Sequence, residues 1–186
     1  TLFRSAPRIG PVRLRALVHY FGDVEAAWHA DAASLRAAGL RQDALERLIA
    51  LRARVDLDAV LQRVTALGLT IYTWDSPDYP ALLRNIAQPP PVLYVKGTIS
   101  PADEFAVAVV GTRHASAYGK EVARRLARGL AENGVTVVSG LALGIDGVAH
   151  RAALDAGGRT LAVLACGLDS VYPSSHRELA ERIVAA

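Results

Sequence analysis

The apolar positions of this chain change their spacing partway along. From Ile9 to about Leu67 they recur at three and four, as in Leu14, Leu17 and Val18 and again in Leu45, Leu48, Ile49 and Leu51, the period of helices that bury one face. Gly10-Pro11 suits a helix start and Phe21-Gly22 a helix end, because Pro fits the first helical position and Gly the residue after the last. Asp31 is placed to cap a short helix ending at Gly39, and residues 42–67 predict one long or kinked helix. Residues 1–67 therefore predict a small all-helical domain.

At Gly68 the pattern shifts. Leu69 to Thr73 and Val92 to Val95 read as strands, separated by a turn-rich stretch from Trp74 to Pro80 and by Pro89-Pro90-Pro91, which is either a linker or a stiff approach to the second strand. Beyond Phe105, strand and helix alternate. The runs Phe105 to Val110, Val135 to Val138 and Arg159 to Ala165 are short and almost wholly apolar, as expected of strands covered by helices on both faces. Amphipathic stretches fill about 117–133 and 145–156, and a last helix begins near Ser174. This order predicts a parallel sheet with right-handed crossovers, so residues 68–186 are expected to form a Rossmann-like α/β domain. Such sheets usually carry more strands. With Thr1 at the start and no Met anywhere, the chain is expected to be a fragment or a processed form, its α/β domain incomplete.

Ligands of open parallel sheets bind beyond the carboxyl ends of the strands, where loops meet helix N-termini. The first such loop runs from Gly111 to Gly119. Gly111 admits a close approach to the backbone, Ser116 can cap the next helix, and free N–H groups at that helix start can hold an anion. Arg113 offers a planar fork to a phosphate, and Tyr118 offers a ring on which a base can stack unless it is buried under the loop. The bland alternative is a Gly-shaped bend with a solvated arginine. The second loop, Ser139 to Asp146, brings Gly140 and Gly144 to another helix start. Asp146 and His150 share a helix face, where the pair either braces the loop or moves a proton. The third, Cys166 to Pro173, places Gly167 at the strand end with Tyr172 nearby, and Cys166 reads as a small buried apolar residue.

Three phosphate-friendly loops imply a ligand with several phosphates, a dinucleotide or a polynucleotide. The dinucleotide fingerprint G-x-G-x-x-G, the G-x-x-x-x-G-K-[ST] loop and the G-x-S-x-G elbow are all absent. The histidines show no metal-ligand spacing with Cys or acidic partners, so no catalytic residue, metal or cofactor is expected. With 52% apolar residues the chain can bury a real core, and a net charge of +3 with pI near 9.3 fits either an acidic partner or an Arg-rich solvated surface. Of 21 basic residues only Lys96 and Lys120 are Lys, which suits bidentate phosphate contacts or reflects codon usage. One cysteine cannot form an internal disulfide, no apolar run is long enough for a membrane span, and no signal peptide opens the chain, so a cytoplasmic location is the default expectation.

Val110-Gly111-Thr112-Arg113 with Ser116 and Tyr118-Gly119, Ser139-Gly140-Leu141-Ala142 with Gly144-Ile145-Asp146 and His150, and Gly167-Leu168-Asp169 with Tyr172-Pro173 resemble the successive motifs of the DNA-processing protein A (DprA/Smf) family. Asp78 to Leu83 and Pro90 to Tyr94 extend the resemblance over roughly residues 68–186. The resemblance implies an extended Rossmann-like domain that binds single-stranded DNA without hydrolysing nucleotide, protects incoming DNA in natural transformation and helps load a RecA-type recombinase. It implies Gly111, Thr112, Arg113, Ser116, Tyr118, Gly119, Ser139, Gly140, Ala142, Gly144, Gly167 and Leu168 as DNA-binding positions. Asp146, His150, Asp169 and Tyr172 would support them. Arg113 matches the family's phosphate-binding arginine, Thr112 stands where Ser is more usual, and His176 where many members have Asn. The helical part resembles a helix-hairpin-helix or sterile-alpha-motif domain, with Gly10 and Gly39 either contacting phosphates or simply capping helices. Homodimerisation would use regions largely beyond this chain. A different class of reading is a Rossmann-like enzyme acting on nucleoside monophosphates, like the phosphoribohydrolases, but their Pro-Gly-Gly-x-Gly-Thr run is absent.

Overall fold

The structure, a computed structural model, describes residues 9–186. It separates into two compact units, one holding the residues up to Ala66 together with Ile71–Leu93, the other holding Leu67–Thr70 with Tyr94–Ala186.

In the first unit α1 (Pro11–Phe21), α2 (Val24–His29), α3 (Ala32–Ala37) and α4 (Gln42–Arg52) enclose a core of Ile9, Leu14, Leu17, Leu35, Leu45 and Leu48. Asp23 and Asp31 cap α2 and α3, accepting from the N–H groups of Ala26 at 2.6 Å and Ser34 at 2.7 Å. The Arg52 guanidinium closes the bundle, donating to the carbonyls of Ala30 at 2.8 Å and Ala27 at 2.9 Å above the Trp28 ring. The one long or kinked helix expected over 42–67 is two separate helices, α4 and α5 (Leu57–Ala66). The break comes at Asp56, whose carboxylate accepts from the Ala59 N–H at 3.0 Å and starts a new helix. Gly10 lies just before α1 and Gly39, at φ +85°, just after α3, so both occupy helix ends. A four-residue helix, α6 (Ala81–Arg84), lies between strands β1 (Leu69–Thr73) and β2 (Val92–Lys96), which pair in a two-stranded sheet. Neither α2 nor α6 was signalled by apolar spacing, because each is too short to show a period.

The second unit carries a parallel sheet in the order β3 (Ala106–Ala108), β4 (Thr136–Ser139), β5 (Thr160–Ala162), with Val107 opposite Val137 and Val138 opposite Leu161. Between them run α7 (Ala117–Glu132) and α8 (Ile145–Asp155), and α9 (Arg177–Ala185) follows a 3₁₀ turn over Ser174–His176. The Rossmann-like order is as expected, with shorter strands. The expectation of helices on both faces needs correction. Both crossovers step the same way across the sheet, and right-handed crossovers of that kind put α7 and α8 on one face. There Ala127 and Ala131 of α7 and Ala149, Ala152 and Ala153 of α8 pack against Val109 and Val137. Strand alternation sends Ala106, Ala108, Val110 and Val163 to the opposite face, where Val110 is 69% and Val163 67% exposed.

At the amino edge of this sheet Arg159 is bound to Asp103 at 2.7 Å and to the Thr98 carbonyl at 2.6 Å, while Asp103 also accepts from the Thr136 hydroxyl at 3.1 Å. These contacts tie together the segments that lead into β3, β4 and β5. The carboxyl edge is left to the loops.

Candidate nucleic-acid interface

Because the strands are parallel, the loops after β3, β4 and β5 all emerge at one edge. The first holds its own shape with few contacts. The Thr112 hydroxyl accepts from the His114 N–H at 3.2 Å, and Ser116 caps α7 by accepting from the Gly119 N–H at 3.1 Å. That leaves a sixteen-residue helix with its positive end at the loop. Arg113 and Tyr118 are exposed, the latter to 80%, so Tyr118 is not buried under the loop. Among the described residues no hydrogen-bond or ion-pair partner stands against the Arg113 guanidinium. Gly111 has a packing role as well, since a Cβ there would sit 2.7 Å from Cγ1 of Ile145.

The second loop is organised differently, because its polar groups are satisfied from within. The Ser139 hydroxyl is buried and donates to the Val109 carbonyl at 2.7 Å. Gly140 and Ala142 give their N–H groups to one oxygen of Asp146, at 3.1 and 3.4 Å. Leu141 between them has φ +59°, the one non-glycine residue with positive φ among those described, and its side chain is buried. Its N–H donates to Nε2 of His150 at 3.3 Å, and its carbonyl accepts from Nδ1 of His176 at 2.9 Å. The loop ends at Gly144, where φ is +80° and any Cβ would collide with the carbonyl oxygens of Thr112 and Arg113. The Ile145 N–H donates to that same Thr112 carbonyl at 3.3 Å, so the first two loops are in direct contact.

Asp146 and His150 both bond this loop through its backbone. The Nδ1 of His150 lies 2.7 Å from the Thr160 hydroxyl, which in turn donates to the Val137 carbonyl at 2.6 Å. Burial pushes the His150 imidazole down to about 4, against an opposing pull from Asp146, with His176 and Arg151 adding to the depression.

The third loop runs from Cys166 to Pro173. Tyr172 is 73% exposed, the Tyr172–Pro173 peptide is cis, and a Cβ on Gly167 would lie 2.7 Å from the Asp169 carboxylate. Leu168 is half-buried and Asp169 exposed. Cys166, expected to be buried, is exposed, because β5 ends at Ala162 and the chain has left the sheet by then. The loop closes on His176, which is buried against Gly147 of α8, where a Cβ would sit 2.6 Å from the imidazole. His176 pairs with Leu141, a residue of the Ser139–Ala142 motif. Their partnership spans 35 positions, so no local spacing signals it. No group of three or more metal-binding side chains occurs among the described residues, and no described helix is long and apolar enough to cross a membrane.

A parallel three-stranded sheet with helices on one face and three contiguous loops at its carboxyl edge defines a Rossmann-like α/β protein. The family described as DNA recombination-mediator protein A matches residues 70–186, and the chain belongs to that family. Protein Smf of Synechocystis is 38% identical over 182 residues, 95% of this chain and 46% of that protein. The solved structure of DNA processing protein A from Streptococcus pneumoniae superposes with a TM-score of 0.77 at 30% identity, covering 97% of this chain and 62% of that one. DNA processing protein A from Helicobacter pylori, solved for its single-stranded DNA binding mode, gives 0.54 at 31% identity over 62% of this chain and 51% of its own. The chain spans about half the length of the curated relatives it matches.

Proposed function

We propose that this chain binds single-stranded DNA at the carboxyl edge of the β3-β4-β5 sheet and acts by holding DNA, not by cleaving a bond. The carrying observation is the exposed Arg113 guanidinium, without a hydrogen-bond or ion-pair partner among the described residues, in the loop that leads into the capped start of α7. Tyr118 and Tyr172 stand exposed in the neighbouring turns, where rings can stack on bases without reading their sequence. The Helicobacter pylori relative's single-stranded DNA binding mode supports the same reading. For the full-length proteins we extend it to protecting incoming DNA in the cytoplasm, passing it to a RecA-type recombinase and pairing as homodimers. We also read residues 1–67 and 68–186 as two domains, although Ile71–Leu93 groups with the helical unit; limited proteolysis between Gly68 and Pro91 should separate a helical piece from an α/β piece.

Titration of labelled oligo-dT at several salt concentrations tests the central claim. Arg113→Ala should weaken binding by about 1 to 3 kcal/mol. It should also shallow the log-log salt slope by roughly 0.7, one phosphate's share of released counterions on a single strand. Arg36, which hydrogen-bonds Gln42 at the surface of the helical unit, is the control, and Arg36→Ala should bind as the parent does. The reverse pattern would put the binding face on the wrong unit.

A further inference from the structure

The Leu141 peptide is held at both ends by imidazoles, and the chemistry of each contact dictates where the protons lie. A carbonyl can only accept, so Nδ1 of His176 must carry a proton to reach Leu141 O at 2.9 Å. An amide N–H can only donate, so Nε2 of His150 must be bare to receive it at 3.3 Å. The neutral His150 ring then keeps its proton on Nδ1 and passes it towards Thr160, whose own hydroxyl is committed to the Val137 carbonyl at 2.6 Å. Nε2 of His176 faces Arg151 at 3.5 Å, where a second imidazole proton would meet a guanidinium. One set of tautomers therefore satisfies every group, and it fixes a leucine in a backbone region that leucine avoids.

We propose that His176 and His150 are positioning residues for DNA binding: by clamping the carbonyl and the N–H of Leu141 they set the turn that packs at Gly144 against the Thr112 and Arg113 carbonyls and bonds Thr112 through the Ile145 N–H, and so place Arg113. The proposal rests on the reading of Arg113 as a DNA contact. The chain of contact is continuous. His176 fixes Leu141, Leu141 lies between the two N–H groups held by Asp146, and the turn ends against the first loop at Gly144. An asparagine at 176 would carry its amide nitrogen as many bonds from the backbone as Nδ1 of histidine, so the donor to Leu141 survives that exchange while the ring does not.

The 186-residue chain, with labelled oligo-dT and ¹⁵N spectra of its imidazoles, provides the test. His176→Leu should bind about fivefold more weakly, the usual effect of losing one buried hydrogen bond, with the Leu141 amide resonance displaced. His176→Asn should restore most of the affinity, and the parent's spectrum should report both rings protonated on Nδ1 alone. Parental affinity in a folded His176→Leu overturns the proposal, as does His176→Asn binding no better than His176→Leu, because the ring would then serve only as filling. Should His176→Leu fail to fold, Thr160→Val decides. That change removes the acceptor for His150 Nδ1, and a shifted His150 tautomer with weakened binding supports the clamp, whereas a shifted tautomer with unchanged binding refutes it. Arg113→Ala, measured alongside, separates the two levels of argument: if it too leaves oligo-dT binding unchanged, the DNA reading itself has failed.

Discussion

The loops after β3 and β4 are both Gly-containing, both end at a helix start and both lie at the same sheet edge, yet they are built in opposite ways. In the first, the side chains that could meet a ligand, Arg113 and Tyr118, are exposed, and the backbone is held by two local hydrogen bonds accepted by the Thr112 and Ser116 hydroxyls and by one from the Ile145 N–H to the Thr112 carbonyl. In the second, Ser139, Gly140, Leu141 and Ala142 spend their polar groups on Val109, Asp146, His150 and His176. A loop whose N–H groups are already bonded internally has little left for a phosphate. Under the proposed reading the difference separates a contacting loop from a supporting one, and the two meet where Gly144 packs against the Thr112 and Arg113 carbonyls.

The most forceful way to break this division is at that junction. Gly144→Ala adds a methyl where two carbonyl oxygens already stand and imposes a positive φ on a residue with a side chain, so it should cost about 3 kcal/mol or more in urea unfolding. A near-neutral result would mean that the two loops are not in register as described.

The supporting loop should also be sensitive to acid. His150 is neutral in the fold, its value pushed from the ordinary 6.5 down to about 4. Because the folded value is the lower one, protons bind the unfolded chain more readily, so the contribution is complete above pH 6.5 and is lost as the pH falls towards 4. That loss is on the order of 3 kcal/mol. Urea midpoints followed over this range should fall more steeply for the parent than for His150→Gln. Parallel curves would remove His150 from the account.

Removing the exposed Tyr118 ring should spare stability and strike binding. Tyr118→Ala should weaken oligo-dT binding by about 1 to 3 kcal/mol with the salt slope unaltered, because stacking releases no counterions. A changed slope would show that the ring was acting through Arg113. Smallest is Ser116→Ala, which removes the cap of α7 and should lower stability by about 1 kcal/mol, followed by thermal unfolding. Binding should drop only modestly with it, since the backbone N–H groups of the helix remain.

Much of this architecture could be read from residue order alone. Alternating apolar runs and amphipathic stretches define β3-α7-β4-α8-β5 because strand and helix periods are local properties, and the caps at Asp31 and Ser116 lie within three residues of the groups they bond. The glycine loops and Arg113 were legible for the same reason. The break at Asp56 was written in the sequence too, although a continuous apolar period across 42–67 concealed it. What only the tertiary structure decided is which loop's polar groups are bonded internally and which loop leaves its side chains exposed. Asp146 reaches back to Gly140, His150 to Leu141 and on to Thr160, and His176 to a carbonyl 35 positions earlier. It likewise decided that one sheet face stays open and that Cys166 is exposed, through the hand of the crossovers and the early end of β5. Spacing rules report on neighbours along the chain. A hydrogen bond closed by folding joins residues that share no local pattern, so its donors and acceptors look available until the chain has placed their partners.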